Sequence, residues 1–238
     1  VNDLVVGSDG DDTGGSGPNN RGAVHVLFLR PTTDYGDAPD TANGTGAGNY
    51  QTLASDGGPV HQIVSGLFMG VRVDGESDAI QNARANGDDQ FTSGGADDED
   101  GLNNPLADLT LTIGAAPTVN VIVTNTTGSA ATLYGWIDFN ADGVFESSER
   151  TSVSVADDSK GVIKTLTFPA VPAGFTGQTY ARFRLSTDSA AANPTGSASD
   201  GEVEDYVATV TKPGHGTAAS TLKIASGLNG GPTLADND

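Results

Sequence analysis

Leu109–Ile113 (LTLTI), Val119–Thr124 (VNVIVT) and Thr132–Asp138 (TLYGWID) follow one another closely, each bounded by Gly, Pro, Asn or Asp. Most of these runs alternate apolar and polar residues, the period that places successive side chains on opposite faces of a sheet. Thr151–Val155, Val162–Phe168, Thr179–Ser186 and Glu204–Thr211 continue the pattern. Seven short strands over roughly 100 residues predict an all-β fold, an immunoglobulin-like antiparallel β-sandwich over residues 106–211. Trp136, the single tryptophan, lies on the third strand. A core position is the expectation for it, with a sugar-stacking platform as the alternative.

Upstream, the texture is different. Residues 31–105 are dominated by Pro, Gly and acids and read as a loop-rich acidic region. One apolar run, Ile63–Val73, predicts a strand, and Asp78–Ala85 one or two helical turns. Residues 1–30 read as two short strands, Asp3–Val6 and Ala23–Leu29, around a Gly- and Asp-rich loop. Residues 212–238 read as a linker followed by a further short strand candidate, Thr221–Ile224.

The formal net charge is −20, from 31 acidic and 11 basic residues. Such a chain repels phosphates, which argues against nucleic acid and anionic membranes as partners. No apolar stretch is long enough to span a bilayer, so no membrane insertion is expected. Cysteine is absent, which removes disulfides and thiolate metal sites. The acids also cluster, and too few Lys and Arg are present to neutralise them. Divalent cations are the natural counterions, and all-oxygen ligands select calcium over zinc or copper.

The most specific chemical signal is Asp138-Phe139-Asn140-Ala141-Asp142-Gly143-Val144-Phe145-Glu146-Ser147-Ser148-Glu149. It fills the twelve-residue calcium-loop template. Asp138, Asn140 and Asp142 offer side-chain oxygens at positions one, three and five. Gly143 permits the sharp turn, Val144 gives its carbonyl, Glu146 acts directly or through water, and Glu149 binds in bidentate fashion. The flanks are strand-like, so the loop is expected to join β elements rather than helices. An Asx-rich turn without metal is the alternative. The other acidic groups lack a complete template. Asp34, Asp37, Asp74, Glu76, Asp88, Asp89, Asp98, Asp100, Glu202 and Asp205 are candidates for further Ca2+ ligands only if the fold gathers them.

Ser199-Asp200-Gly201-Glu202-Val203-Glu204-Asp205-Tyr206 resembles the signature of the GEVED domain of bacterial secreted and surface proteins. Gly135–Gly143 is similar to that family's aspartate loop, Ala181–Ser186 to the strand before the signature, and Asp34–Asp40, Gly87–Asp89 and Asp98–Gly101 to an acidic region upstream. The resemblance spans roughly residues 34–211 and implies a β-sandwich in large exported proteins without catalytic assignment. Within the signature, Glu202, Glu204 and Asp205 either complete a calcium site or pair across strands with Arg182 and Arg184. The pairing is slightly favoured. Tyr206 is expected to pack and donate a hydrogen bond.

The ends carry a second resemblance. Val1–Gly7 with Arg21–Phe28, and Lys223–Asp238, are similar to parts of FG-GAP (integrin-α-like) repeats, although the Phe-Gly core is missing. The chain is therefore expected to be a cleavage product or one period of a tandem array.

Taken together, the expected function is a calcium-stabilised structural or adhesive module at the extracellular surface of a bacterium. Neighbouring copies or adjacent domains of the same surface protein are the expected partners, including a head-to-tail homopolymer. The alternative is a calcium-dependent carbohydrate-binding module, with Tyr35, Tyr50, Tyr134 and Trp136 as stacking residues. No enzymatic activity is expected: His25, His61 and His215 show no zinc spacing, and no serine sits in a nucleophile elbow.

Overall fold

A computed structural model describes residues 4–8, 23–27, 32–73, 75–87 and 100–214. The described residues are all-β in character, with one four-residue α-helix, α1 (Pro105–Asp108), and short 3-10 turns. Near the N-terminus, β1 (Leu4–Ser8) and β2 (Ala23–Leu27) pair antiparallel. The expected strand Thr221–Ile224 lies outside the described residues.

The seven strands expected between 106 and 211 all form, and the sequence spacing holds to within two or three residues at their ends. They are β8 (Thr110–Thr112), β9 (Thr118–Asn125), β10 (Ala131–Ile137), β11 (Arg150–Val155), β12 (Ser159–Thr167), β13 (Gly177–Ser186) and β15 (Glu202–Thr211). Five of them build one sheet in the order β11-β10-β13-β15-β8. β12 and β9 join β7 (Leu67–Met69) in a second. Val119, Val121 and Val123 of β9, with Leu67 and Met69 of β7, share one buried cluster with Leu133 and Ile137 of β10 and Phe183 and Leu185 of β13. Alternation thus delivers the inward side chains of both sheets to a common core, and burial of apolar surface is its driving force.

Three expectations need correction. The pairing is not wholly antiparallel: β8 runs parallel to β15, with Thr209 opposite Thr110. These strands are far apart in sequence, so β8 docks at the sheet edge without a hairpin to fix its direction. Next, Ile63–Val73 is not one strand, because only Leu67–Met69 within it is extended and paired. Gly66 (φ +83°) and Gly70 (φ +60°) bracket that piece with left-handed backbone, which ends the pleat on either side. Finally, Asp78–Ala85 forms turns and bends rather than helix.

The upstream segment also supplies elements that the sequence pattern did not announce: β3 (Thr33–Tyr35), β4 (Thr45–Gly46), β5 (Asn49–Tyr50) and β6 (Val60–Gln62). β3 pairs with β6, and β6 pairs in parallel with the two-residue β14 (Ser197–Ala198). β4 and β5 form a small hairpin. These pieces lie over the other face of the five-stranded sheet. There Trp136, Tyr180, Phe145, Tyr50, Ala38 and Ala85 form a second, smaller apolar cluster. The main sheet is consequently buried on both sides, and Trp136 sits in this second core.

Candidate functional site

The Asp138–Glu149 loop joins β10 to β11, as its strand-like flanks predict. Asp138 is fully buried at the end of β10. Its Oδ1 accepts from the amides of Asn140 (3.1 Å) and Ala141 (2.6 Å), and its Oδ2 from the amide of Gly143 and the hydroxyl of Tyr50, both at 2.9 Å. The turn repeats down the loop: Asn140 Oδ1 accepts from Asp142 N, and Asp142 Oδ1 from Val144 N. Such Asx turns are local and follow from the spacing alone. Gly143 holds φ +84°, and a Cβ there would lie 1.7 Å from the Gly46 carbonyl oxygen, so no other residue fits.

Glu149 closes the loop. It ends a 3-10 turn, Ser147–Glu149, and is 5% exposed. Its Oε1 accepts from Phe139 N at 2.8 Å and its Oε2 from Glu146 N at 3.1 Å. The first and last positions of the template are thereby drawn to the same stretch of backbone. Burial raises the pKa of Asp138 above the usual carboxylate range. Burial first, then the Glu146 side chain, pushes Glu149 up to about 8. Neither is in a salt bridge; among the described residues such bridges join Lys160 to Asp158 and Arg182 to Asp205.

The chemistry of this donor set suits calcium: carboxylate, amide and carbonyl oxygens only, with no nitrogen or sulfur ligand. Asn140, Asp142, Val144 and Glu146 are at least partly accessible, whereas Asp138 and Glu149 are buried. The loop as folded is closed by its own hydrogen bonds, including Asn140 Nδ2 to Asp142 Oδ2 at 2.8 Å. Among the described residues no three His, Asp or Glu side chains are gathered as a metal cluster.

The acidic signature has a different fate. Arg182 and Asp205 are register partners on β13 and β15. The fully buried guanidinium grips the carboxylate in bidentate fashion, Nε to Oδ1 at 2.7 Å and Nη2 to Oδ2 at 2.8 Å. Such pairs are the strong form of the interaction. Asp205 Oδ2 also accepts from Ala38 N, so its oxygens are committed to an arginine and a backbone amide. Arg184, beside it, is surrounded by carbonyls of Asn193, Thr195 and Gly196 and donates from Nε to His61 Nε2 at 2.8 Å. Burial and the neighbouring Arg182 pull Arg184 down to about 9. His61 Nδ1 lies 2.7 Å from the Asp200 carbonyl, which fixes its proton there and leaves Nε2 to accept.

The remaining candidates fasten backbone. Asp34 accepts from Val203 N, Asp37 from Gly87 N, Glu76 from Tyr35 N and Asp100 from Val71 N. Glu202 accepts from Met69 N, and Glu204 from Gly101 N and the Tyr206 hydroxyl. Tyr206 therefore packs and donates, as its place in the signature predicts. The acids of the signature reach upstream amides at Ala38, Met69 and Gly101, and Asp34 reaches the signature at Val203, which ties these upstream segments to β15. Asp74, Asp88, Asp89 and Asp98 lie outside the described residues.

Sequence reasoning missed His61, the role of Arg184 and the contact from Tyr50. No spacing marks them, since their partners lie 139, 12 and 88 residues away in the chain. The buried state of Trp136 and Tyr50 also removes both from the set of exposed stacking aromatics.

No curated protein matches the chain. The model of the GEVED domain family matches residues 132–209, which run from β10 through the Asp138–Glu149 loop to the Arg182–Asp205 pair. Over those residues, which carry both the loop and the acidic signature, the chain is similar to the GEVED domain.

Proposed function

We propose that this chain is a calcium-stabilised structural or adhesive module of an extracellular bacterial surface protein. In this reading residues 106–211 form an immunoglobulin-like β-sandwich, and the terminal segments belong to FG-GAP-like repeats shared with neighbouring copies or adjacent domains. The observation that carries it is the buried, unneutralised pair Asp138 and Glu149 at the two ends of a complete calcium-loop sequence. Burial disfavours the charged form of both carboxylates, a cost that positive charge placed between them offsets. A calcium ion held by Asp138, Asn140, Asp142, the Val144 carbonyl, Glu146 and Glu149 supplies that charge. Its role there is stabilisation, since the two end carboxylates, Asp138 and Glu149, are buried between β10 and β11. Extracellular fluid, where calcium is abundant, suits a module of this type. A chain without cysteine gains from the ion the staple that disulfides give other secreted folds.

Thermal melting in calcium, in magnesium and in chelator tests this. Calcium is expected to raise stability by roughly 3–4 kcal/mol at hundred- to thousandfold saturation, with magnesium doing much less. The double variant Asp138→Asn, Glu149→Gln removes the calcium effect. A midpoint unchanged by thorough chelation overturns the reading. Assembly is tested by sedimentation: growth of larger species with concentration supports head-to-tail contacts between copies, and a monomer at all concentrations removes them.

A further inference from the structure

The Asp138–Glu149 loop is built against a second element. Tyr50, on β5, donates its hydroxyl to Asp138 Oδ2 at 2.9 Å. Its ring lies 5.1 Å from that of Phe145, inside the loop, and 4.9 Å from that of Tyr180 on β13. The backbones touch as well: a Cβ on Gly143 would fall 1.7 Å from the Gly46 carbonyl oxygen and 2.7 Å from that of Asn49. From the sheet side, Thr179 Oγ1 donates to the Asp138 carbonyl at 2.6 Å.

The hairpin itself is internally braced. The Asn49 side chain accepts from Thr41 N and Ala42 N and donates to the carbonyls of Ala42 and Gly44. Tyr50 N donates to Pro39 O at 2.8 Å. Asn49 and Tyr50 are buried against the loop, while Thr41, Ala42, Asn43, Ala47 and Gly48 are largely exposed. The side of the hairpin that carries Gly46, Asn49 and Tyr50 therefore rests on the loop, while Thr45 and the tip, Ala47 and Gly48, stand in solvent. A braced hairpin moves as a unit, so a shift at Gly46, Asn49 or Tyr50 is carried to the exposed tip between them.

We propose that Tyr50 is the positioning residue of the Asp138–Glu149 loop, and that the β4–β5 hairpin is the element through which ion occupancy of the loop is expressed at the surface. This rests on the calcium reading given above. An ion held by Asp138 redirects the carboxylate that the Tyr50 hydroxyl uses as its acceptor. The Tyr50 ring is confined between Phe145 and Tyr180, so the hydroxyl cannot follow independently of the hairpin. Coupling of this kind is reciprocal: what loosens the hairpin weakens ion binding by the same factor. Residues one shell out from a metal typically alter its affinity about 10–100-fold.

The test is amide hydrogen exchange on the full chain with calcium and with chelator, alongside calorimetric titration with calcium. In the wild-type protein, calcium is expected to slow exchange in the peptide spanning residues 39–52 about tenfold, comparable to the coupling factor. Tyr50→Phe keeps the ring and loses the hydroxyl. It is expected to bind calcium about tenfold more weakly and, once saturated, to protect the loop without protecting the hairpin. Calcium binding with no change in hairpin exchange overturns this inference and leaves the calcium reading standing. Tyr50→Phe binding as tightly as wild type overturns the positioning role. No binding heat in the wild type overturns the calcium reading and this inference with it. The wild-type comparison needs no variant, so a Tyr50→Phe chain that fails to fold leaves the test decisive.

Discussion

Alternate residues of β13 meet opposite environments. Ala181, Phe183 and Leu185 enter the apolar core shared with β7, β9 and β12, whereas Arg182 and Arg184 enter a polar layer under the upstream segment. All five side chains are fully buried. The apolar face is held by area removed from water, which is non-directional and tolerant of reshaping. The polar face is held by direction: Arg182 reaches Asp205, Thr52 and Pro194 O, and its cation lies 5.1 Å over the Phe145 ring. A buried network of this kind stabilises only when every member is satisfied, so it specifies one arrangement of the covering segment.

The largest expected effect breaks that network. Arg182→Ala leaves Asp205 buried without its cation and is expected to cost about 3–5 kcal/mol, read by urea denaturation. A loss under about 1 kcal/mol, the range of exposed pairs, would show that the polar face contributes little. Acid sharpens the comparison further. Burial, then the Arg184 charge, holds His61 down to about 3, well below its usual range. The unfolded chain therefore binds a proton that the folded one refuses. Stability from this site is intact above about pH 6.5 and is lost as pH falls towards about 3, at up to ~1.4 kcal/mol per pH unit. His61→Gln is expected to flatten that slope in denaturation midpoints measured across pH. The smallest effect belongs to the apolar face. Leu185→Met is expected to cost less than about 1.5 kcal/mol, while Arg184→Lys, which cannot span His61 and three carbonyls, costs more. Equal losses from these two conservative changes would erase the distinction between the faces.

The apolar face was legible in the sequence. Period-two alternation from Leu109 to Thr211 places seven strands, because each residue's face depends only on its neighbours along the chain. The short strands upstream were not legible, since runs of two or three residues such as Thr45–Gly46 carry no period. The GEVED-like signature announced the similarity found over residues 132–209 but not its bonds. Of its two readings, the arginine pairing is the one seen for Asp205, while Glu202 and Glu204 hold amides of the covering segment.

The sequence alone therefore determined the strands of the GEVED-like region, the place of Trp136 in a core, and the order of oxygen-bearing side chains from Asp138 to Glu149. All three are written in local spacing. Only the tertiary structure decided that β3 to β6, with Ala38 and Ala85, close the second face, that His61 completes the Arg184 network, and that Tyr50 reaches Asp138. These contacts join residues up to 169 positions apart. Their bonds depend on where the chain returns in space, which no local pattern of hydrophobicity or charge encodes.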